Sequence, residues 1–444
     1  MAGNWNPDTG NCFMRWLYLL LLYLLTPVVL LRLVWRSRQI RVYRERIGER
    51  FGFVPRPAQG VAVWVHAVSV GESLAALPLI RQLVERHGQG RVWVTTTTPT
   101  GSERVVAALG AQVIHTYAPY DLPGAVSRFL DRARPAQVVI METELWPTLF
   151  RHLRRRGIPL TIANARLSPR SFKGYGRVAG FTREVLRDTT RVAAQSDADA
   201  QRFTSLGAPH VEAIGNLKFD IDPVASQAEA GHALRARLGA ARPAWVAAST
   251  HDTEEETALD AHRRLCERHP DALLILVPRH PQRFDDVARL IARQGFRGVR
   301  RSEISADPTR AGADVQVLLG DSLGEMWMYL AAADVAFVGG SLADVGGHNV
   351  LEPAALGLPV LFGPHMHNFL AARELLLGAG AAIEVADAGA LASRVAELLP
   401  DAAQRARMGQ AGSAAVLANR GALAKLLDIL DRGGRESGVG NRES

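Results

Sequence analysis

The sequence predicts an α/β protein with two Rossmann-like domains, each built on a parallel sheet, and one apolar helix at the N-terminus. Its 444 residues exceed what a single hydrophobic core usually serves. From residue 61 onward, short apolar runs alternate with helical patterns in two successive series, which is the rhythm of doubly wound sheets. Residues 16–31 carry no charge, which is typical of a membrane-associated helix.

The composition favours a folded protein with a polyanionic partner. Hydrophobic residues make up 48% and charged residues 22% of the chain, and the net charge is +8. This balance favours nucleic acid or an anionic membrane surface. No arginine-rich aromatic module or zinc-knuckle spacing occurs, so an anionic membrane surface is preferred and nucleic acid is not expected. Cys12 and Cys266 lie far apart, which argues for a reduced compartment and against a disulfide scaffold.

Residues 1–35 are predicted to form an uncleaved membrane anchor. At ~1.5 Å per residue, segment 13–35 is long enough to cross an apolar layer of ~30 Å, and Trp16 and Trp35 lie near its ends. Arginines follow at 36, 38, 41, 44, 46 and 50, which predicts a single-pass orientation with the remaining chain on the cytoplasmic side. These arginines are also suited to anionic headgroups. The alternatives are a soluble core helix, which would seldom be apolar all round, and a cleavable signal, whose basic flank would lie on the other side.

The first domain is predicted at 36–220 and the second at 221–431, followed by a disordered tail at 432–444. Candidate strands of the first domain lie at 61–69, 92–97, 112–117, 137–141, 160–164, 191–195 and 211–215. Those of the second lie at 245–249, 273–278, 315–320, 335–338, 360–362 and 382–385. Ligands of open α/β sheets bind beyond the carboxyl ends of the strands, so we expect the two domains to face a ligand-binding cleft.

Carboxylates follow two strands of the first domain. Glu72 lies in the turn that opens a helix, and Glu142 ends a strand just before Trp146. Apolar neighbours are expected to desolvate the acids at 142 and 144, and desolvation raises a carboxyl pKa toward the range useful for proton transfer. Glu72 and Glu142 are therefore candidate catalytic residues. The alternative is that Glu72 and Glu144 serve only at helix N-termini, where a carboxylate is stabilising by itself.

Two cations occupy comparable positions. Lys218 lies where the chain leaves the first domain, and Arg279 follows the buried strand at 273–278. Cations at strand ends suit a phosphate leaving group, and a guanidinium can bind phosphate through two parallel hydrogen bonds. Arg279 is therefore the stronger candidate, whereas a solvated charge at the domain edge is the alternative for Lys218. His280 is predicted to be structural.

Residues 339–364 combine a strand end, a glycine-rich loop and a short helix that begins near Asn349 or Pro353. Glycines let the backbone approach a ligand, and N–H groups at a helix N-terminus attract anions, so we predict an anion site here. With Pro353 at the first helical position, Glu352 becomes the cap and faces the cleft. The alternative is a local capping arrangement of Asn349 with Glu352. The loop at 320–326 offers backbone N–H groups for a base or ribose.

Neither a metal nor a bound cofactor is predicted. His365 and His367 form an H-x-H pair without an obvious carboxylate partner in the sequence, and no metal-ligand cluster stands out. The phosphate-loop pattern G-x-x-x-x-G-K-[ST] is absent, and the glycines at 339–347 do not match G-x-G-x-x-G, so NAD is not indicated.

Eight motifs, in order along the chain, resemble those of 3-deoxy-D-manno-octulosonic acid (Kdo) transferases of lipopolysaccharide synthesis. They are HAVSVGE (66–72), TTTTPTG (95–101), METELWP (141–147), NARLS (164–168), GNLKFD (215–220), VPRHP (277–281), GDSLGEM (320–326) and GGHNVLEP (346–353). Each motif alone is weak, whereas the ordered set is highly specific and spans nearly the whole chain after the apolar segment. The N-terminal anchor fits the same family.

The resemblance implies a GT-B glycosyltransferase at the bacterial inner membrane. It would move Kdo from CMP-Kdo to a lipid A precursor, lipid IVA, with inversion of the anomeric centre and no cofactor. Glu72 would be the general base, and Glu142 and Lys218 would stabilise the transition state. The remaining positions would hold the donor, with Pro278 and Arg279 at the CMP phosphate and Gly324, Glu325, Met326, Asn349, Val350, Leu351 and Glu352 at the nucleotide.

Two alternatives remain: the first is a GT-B enzyme with another donor, and the second belongs to a different class. A lipid glycosyltransferase with a UDP-sugar donor would prefer UDP to CMP. A membrane-anchored nucleotide-binding scaffold without turnover would keep its biological role when Glu72 is replaced by alanine.

Overall fold

The computed structural model describes residues 7–36 and 45–436 of the chain. The chain divides into two compact units, one formed by residues 1–220 with 420–444 and the other by residues 221–419. Within the described residues each unit contains a seven-stranded sheet whose neighbouring strands are parallel. The prediction of two parallel α/β domains with one apolar N-terminal helix is confirmed.

The first unit has its strands in the order β3-β2-β1-β4-β5-β6-β7. The strands are β1 Val63–His66, β2 Val92–Thr96, β3 Ile114–Tyr117, β4 Gln137–Met141, β5 Leu160–Ala165, β6 Arg191–Ala194 and β7 Val211–Ala213. The helices are α1 Pro7–Arg36, α2 Val70–His87, α3 Pro99–Leu109, α4 Pro123–Ala133, α5 Pro147–Arg155, α6 Pro169–Gly176, α7 Ala179–Leu186, α8 Asp197–Ser205 and, at the end of the chain, α18 Ala422–Glu436.

The second unit has the strand order β10-β11-β9-β8-β12-β13-β14. The strands are β8 Ala244–Thr250, β9 Leu273–Pro278, β10 Gly298–Arg300, β11 Val317–Leu319, β12 Val335–Val338, β13 Val360–Phe362 and β14 Ala382–Glu384. The helices are α9 Ala225–Gly239, α10 Glu254–Cys266, α11 Phe284–Arg293, α12 Arg301–Ala306, α13 Met326–Ala331, α14 Leu351–Ala355, α15 Leu370–Gly378, α16 Ala388–Leu398 and α17 Ala402–Ala418. The sequence analysis missed β10, a three-residue edge strand that begins with a glycine and has little apolar pattern.

The strand orders place one reversal of direction in each sheet. In the first unit the chain moves from β1 outward to β3 and then returns to β4 beside β1. In the second unit the corresponding reversal lies between β8 and β12. Loops on the two sides of such a reversal diverge at the carboxyl edge, which leaves the crevice where open α/β sheets bind ligands.

The alternation of side chains along β1 explains why the sheet is covered on both faces. Val63 and Val65 pack into a core with α2 and α18, whereas Trp64 packs into the opposite core with Phe129 of α4. Each of these four side chains is fully buried. Burial of one such side chain contributes about 1.5–3 kcal/mol, so both layers contribute to holding the carboxyl edge of β1 in place.

The end of the chain returns to the first unit, which differs from the predicted boundary at residue 431. Helix α18 buries Leu426 and Ile429 in the core beside β1 and α2. The Asp220 carboxylate accepts hydrogen bonds from the backbone N–H groups of Gly421 (2.6 Å) and Leu423 (2.7 Å) at the start of α18. The apolar face of α18 needs a partner, and the sheet of the first unit supplies it. Residues 437–444 of the predicted disordered tail lie outside the described residues.

Helix α1 contains the one segment within the described residues that is long and apolar enough to cross a membrane, Phe13–Leu33. Its early residues nevertheless contact the first unit. Arg15 forms ion pairs with Glu184 (2.7 Å) and Asp188 (3.3 Å), and the Tyr18 hydroxyl donates to Asp121 (2.8 Å). A helix that spans a bilayer with its start on the far side from this unit could not make these contacts.

Two of the arginines that were expected to face lipid headgroups are instead part of the fold. Arg50 is 5% exposed, donates to the carbonyl oxygen of Thr97 (2.9 Å) and lies 4.2 Å from the centre of the Tyr117 ring. Arg46 pairs with Glu49 (2.8 Å) and donates to a backbone carbonyl of β3. The side chains at 36, 38, 41 and 44 lie outside those that the structure describes.

Candidate functional site

The first unit brings the predicted catalytic acids together at the reversal between β1 and β4. Glu72 is the third residue of α2, which follows β1, and Glu142 directly follows β4. The charges of Glu142 and of Glu144 both raise the pKa of Glu72, so the three carboxyl groups share one electrostatic environment. The two strands that these acids follow are neighbours in the sheet, and the sequence analysis did not predict this proximity.

Glu72 is buried, and its hydrogen bonds include those of a helix cap. The Ser69 side chain caps α2 by accepting from the backbone N–H of Glu72 (3.2 Å), while the Glu72 carboxylate accepts from the Val68 N–H (2.7 Å) and the Ser69 hydroxyl (3.0 Å). The capping alternative is thus real. These hydrogen bonds use only part of the Glu72 carboxylate, because a carboxylate has about four acceptor positions. Burial raises the pKa of Glu72 to about 7, near the value best suited to a general base in neutral solution.

Glu142 and Glu144 lie on a loop with an unusual backbone. Glu142 has φ of +56°, in the left-handed region that non-glycine residues seldom adopt, and its N–H donates to the Ala163 carbonyl oxygen (2.8 Å). Glu144 accepts from the Trp146 indole N–H (3.0 Å), and burial raises its pKa. Strained backbone that is held by the sheet is common where a side chain must point in a required direction.

Two polar residues at the same edge were missed as site candidates. His66 ends β1 and Asn164 lies in β5, and both are buried. The His66 Nε2 and the Asn164 Nδ2 atoms have no hydrogen-bond partner among the described residues. Burial lowers the pKa of His66 to about 4, so its ring is neutral at neutral pH. A polar residue at the end of an otherwise apolar strand was the signal available in the sequence.

The backbone at Lys218 is held near this edge of the sheet by hydrogen bonds to neighbouring side chains. The Asn164 Oδ1 accepts from the Leu217 N–H (3.0 Å), and Asn216 accepts from the Lys218 N–H (3.0 Å). The Asn216 amide in turn contacts Gln195, which follows β6 (3.3 Å). The segment that carries Lys218 is therefore held to the carboxyl edge of the sheet, with the lysine side chain half-buried.

In the second unit, the glycine-rich loop forms an anion site, but a side chain of the protein fills part of it. The Glu254 carboxylate accepts from the backbone N–H groups of Gly340 (2.7 Å), Ser341 (3.0 Å), Leu342 (2.9 Å) and Ala343 (3.2 Å). Its Oε2 atom also accepts from the His251 N–H (2.9 Å). The prediction that these N–H groups are available to a ligand is wrong, because a buried carboxylate already neutralises them.

The short helix after this loop also differs from the prediction. Helix α14 begins at Leu351, so Glu352 is its second residue and Pro353 its third. Glu352 is therefore not the cap. The Asn349 side chain accepts from the Leu351 N–H (3.1 Å), but Val350 is the N-cap of α14 and no side chain caps it, so this is not the capping arrangement of Asn349 with Glu352 that was kept as the alternative. Asn349 also hydrogen-bonds the Glu352 carboxyl, whose pKa is raised by burial and lowered by the charge of Arg279.

Arg279 lies at the centre of the polar edge of the second unit. Pro278 ends β9 in register with Thr250, and the Arg279 N–H donates to the Thr250 carbonyl oxygen (2.9 Å). The charge of Arg279 lowers the pKa of Glu352 on one side and of His348 on the other. The predicted donor residues thus lie at the end of β9 and around the start of α14, near the reversal between β8 and β12; they are Pro278, Arg279, Asn349, Val350, Leu351 and Glu352.

The segment Gly324, Glu325 and Met326 follows β11, farther along the same edge. The Gly324 carbonyl oxygen accepts from Gln227 of α9 (2.7 Å), and the Glu325 carboxylate lies 3.5 Å from Arg301 of α12. Met326 begins α13. These contacts fix the segment from both sides, as a rigid wall for a nucleotide would require.

Three histidines gather around Arg279. The Nε2 atoms of His251 and His348 are 2.8 Å apart, and the His280 ring lies 5.1 Å from that of His251. Within residues 7–36 and 45–436, no group of three or more His, Cys, Asp or Glu side chains is arranged to hold a metal. The exposed pair His365 and His367 does have an acid nearby, Asp344, at 3.4 and 3.9 Å.

Comparisons with known proteins decide the family. A family model described as 3-deoxy-D-manno-octulosonic-acid transferase (kdotransferase) matches residues 45–221, and a model of glycosyl transferases group 1 matches residues 242–415. The 3-deoxy-D-manno-octulosonic acid transferase of Haemophilus influenzae is 41% identical over 94% of this chain and 98% of its own. The protein of the same name from Bordetella pertussis is 40% identical over 94% of this chain and 99% of its own. The chain belongs to the Kdo transferase family.

As a member of that family, this Kdo transferase is a glycosyltransferase, as the ordered motifs predicted. The crystal structure of MurG from Acinetobacter baumannii has a similar fold, with a TM-score of 0.52 over 84% of this chain and all of MurG. The two sequences are 14% identical, so that likeness concerns the fold alone. The GT-B fold class is confirmed, whereas the site residues of the Kdo transferase stay a prediction.

Proposed function

We propose that this protein transfers Kdo from CMP-Kdo to a lipid A precursor, lipid IVA, in lipopolysaccharide synthesis at the bacterial inner membrane. Family membership supports the Kdo donor. The observation that carries the catalytic part is Glu72, a buried carboxyl group with its pKa raised to about 7 at the reversal between β1 and β4. At neutral pH about half of the protein molecules carry such a group in its deprotonated form, in which it can accept a proton and later release it.

The proposed reaction is a single displacement. The acceptor hydroxyl oxygen forms a bond to the anomeric carbon of Kdo, and the bond from that carbon to the phosphate oxygen breaks. Glu72 takes the hydroxyl proton, and CMP leaves with the electron pair of the broken bond. Attack from the face opposite the phosphate inverts the anomeric centre. Lys218, held at the same sheet edge as Glu72, and Glu142 stabilise the charges of the transition state.

The donor is assigned to the second unit. Arg279 carries a guanidinium that suits a phosphate; it follows β9, donates its N–H to Thr250 at the end of β8, and its charge acts on His348 and Glu352, which follow β12. Because Glu254 already occupies the N–H groups of residues 340–343, side chains must supply most of the charge that meets the phosphate. Asn349 and the segment 324–326 are assigned to the nucleotide. The departing CMP carries one phosphate, so the proposed reaction needs less cationic charge than loss of a diphosphate.

Membrane association is assigned to α1. Its exposed side chains after Tyr18 are almost all apolar, and Trp35 near its end is 64% exposed. The ion pairs of Arg15 with Glu184 and Asp188 keep the start of α1 beside the first unit. We therefore favour a helix that lies in the membrane surface on the cytoplasmic side over the single-pass orientation that the arginine distribution predicted. In either case the acceptor lipid is delivered from the bilayer.

The test is incubation of the full chain with CMP-Kdo and a tetraacylated lipid A precursor, followed by mass spectrometry. The expected product is heavier than the acceptor by one or more Kdo residues. Glu72→Gln should abolish transfer while CMP binding, followed by saturation-transfer NMR, is retained. Lys173→Gln, an exposed change on α6, is the matched control and should leave transfer intact. No product, or preference for UDP over CMP, would reject the proposed reaction.

A further inference from the structure

The two histidines beside Arg279 are joined in a way that limits their charge. The Nε2 atoms of His251 and His348 are 2.8 Å apart, a hydrogen-bond distance. A single proton can lie between two ring nitrogens, and it makes one the donor and the other the acceptor. The pair can therefore be neutral or carry one positive charge. Two positive charges would place two N–H groups against each other and break the contact.

The surroundings favour the neutral pair in the absence of an anion. Burial, Arg279, His251 and His280 all lower the pKa of His348, to about 3. Burial, His280 and Arg279 also lower the pKa of His251, while the Glu254 carboxylate acts in the opposite direction. Glu254 is itself committed to five backbone N–H groups, one of them that of His251. The pair thus faces mainly cationic neighbours.

A ligand can reach this group of side chains. His251, His348 and Arg279 are half-buried, and His280 is exposed. All four follow strands β8, β9 or β12, at the carboxyl edge where the sheet reverses. Three imidazoles and a guanidinium lie together here, and the carboxyl groups of Glu254 and Glu352 lie nearby.

We propose that the His251–His348 pair takes up one proton when the phosphate of the donor binds, so that donor binding and proton uptake are coupled. This inference rests on the proposed CMP-Kdo donor. A nearby anion favours the charged form of an imidazole, and by linkage protonation then favours the anion. The hydrogen bond between the rings persists with one added proton, so uptake is limited to one per donor bound.

Isothermal titration calorimetry with CMP tests the coupling. The full-length protein is titrated at pH 7.0 in PIPES and in Tris, whose ionisation enthalpies differ, and the difference in observed heat gives the number of protons exchanged. The phosphate of CMP has a second pKa of about 6, so binding next to cations can only release its proton. A net uptake therefore does not come from this phosphate, and a double histidine variant tests whether it comes from the pair. We expect a net uptake of up to one proton per CMP, with affinity rising as the pH is lowered from 8 to 7.

One double variant and one control assign the proton. A protein with both His251→Gln and His348→Gln should show no uptake, while His232→Gln, an exposed change on α9, should leave it unchanged. CMP binding with no net uptake by the natural protein would overturn the coupling and leave the donor proposal standing. Uptake that persists in the double variant would also overturn it. Failure to bind CMP while UDP binds would overturn both the coupling and the proposed function.

Discussion

Replacing Glu254 by glutamine should loosen the loop at 340–343 far more than the loss of one charge from the surface would. Oε1 of Glu254 accepts three of the loop N–H groups, and Oε2 accepts those of Gly340 and His251. A glutamine keeps one acceptor oxygen and points an NH₂ group at the remaining donors. With the carbonyl in the place of Oε1, two charge-assisted bonds are lost.

The structure gives the size of this effect. Hydrogen bonds to charged groups contribute about 1.5–3 kcal/mol each, so the loss of two amounts to about 3–6 kcal/mol. This is an upper bound, because the neutral amide also removes the cost of burying a charge. At about 1.4 kcal/mol per factor of ten, the loop amides should exchange with solvent about 10²–10⁴-fold faster.

Hydrogen–deuterium exchange read by mass spectrometry on the peptide that covers residues 339–345 measures this directly. Glu255→Gln is the matched control. Glu255 is the next residue of α10 and equally buried, but its carboxylate pairs with the Arg283 side chain (3.3 Å) rather than with the loop. Exchange of this peptide should be little changed in the control. If Glu254→Gln and Glu255→Gln give the same rate, the carboxylate does not hold the loop, and the energetic reasoning fails.

Three further predictions concern the reaction and the membrane. The rate of Kdo transfer should rise with pH through about 7, because Glu72 must be deprotonated to act as a base. Glu142→Gln should move this rise to lower pH, because the charge of Glu142 adds to burial in raising the pKa of Glu72. A rise at the same pH in the variant would exclude that interaction. Arg279→Lys should weaken CMP binding about tenfold by calorimetry, because a lysine cannot form the bidentate contact with phosphate; an unchanged dissociation constant would remove Arg279 from the phosphate site. Spheroplasts are prepared from cells that express a Cys266→Ser variant, in which Cys12 is the remaining cysteine. If α1 lies on the cytoplasmic surface, a membrane-impermeant maleimide should label Cys12 only after the cells are opened. Labelling from outside would support the single-pass orientation instead.

The positions of the strands and the order of the site loops could be predicted from sequence because both depend on local pattern. Buried parallel strands are short apolar runs, and 13 of the 14 observed strands coincide with predicted runs. The acids at 72 and 142 follow two such runs, and their grouping then follows from topology, since β1 and β4 are adjacent at the reversal. The adjacency of β1 and β4 itself was not predicted, because the sequence pattern gives the strands but not their order in the sheet.

The role of Glu254 could not be predicted in this way. It begins a helix with three consecutive glutamates at 254–256, and acids in a first turn are already explained by the helix dipole. What distinguishes Glu254 is a loop about 86 positions later that folds over it. The return of α18 to the first unit is similar, because the amphipathic pattern of a helix predicts that it needs a partner without saying which sheet provides it.

The contrast between Glu72 and Glu254 suggests how the protein separates the two uses of a buried carboxylate. Glu254 is surrounded by five N–H donors, which together satisfy its lone pairs. Glu72 has one backbone N–H and one hydroxyl as donors, and two further acids raise its pKa. A buried carboxylate that accepts few hydrogen bonds has a raised pKa, whereas hydrogen bonds to all its lone pairs favour the charged form. Under the proposed function, the same position at a strand end beside a helix start therefore serves chemistry in the first unit, whereas it holds a loop in the second.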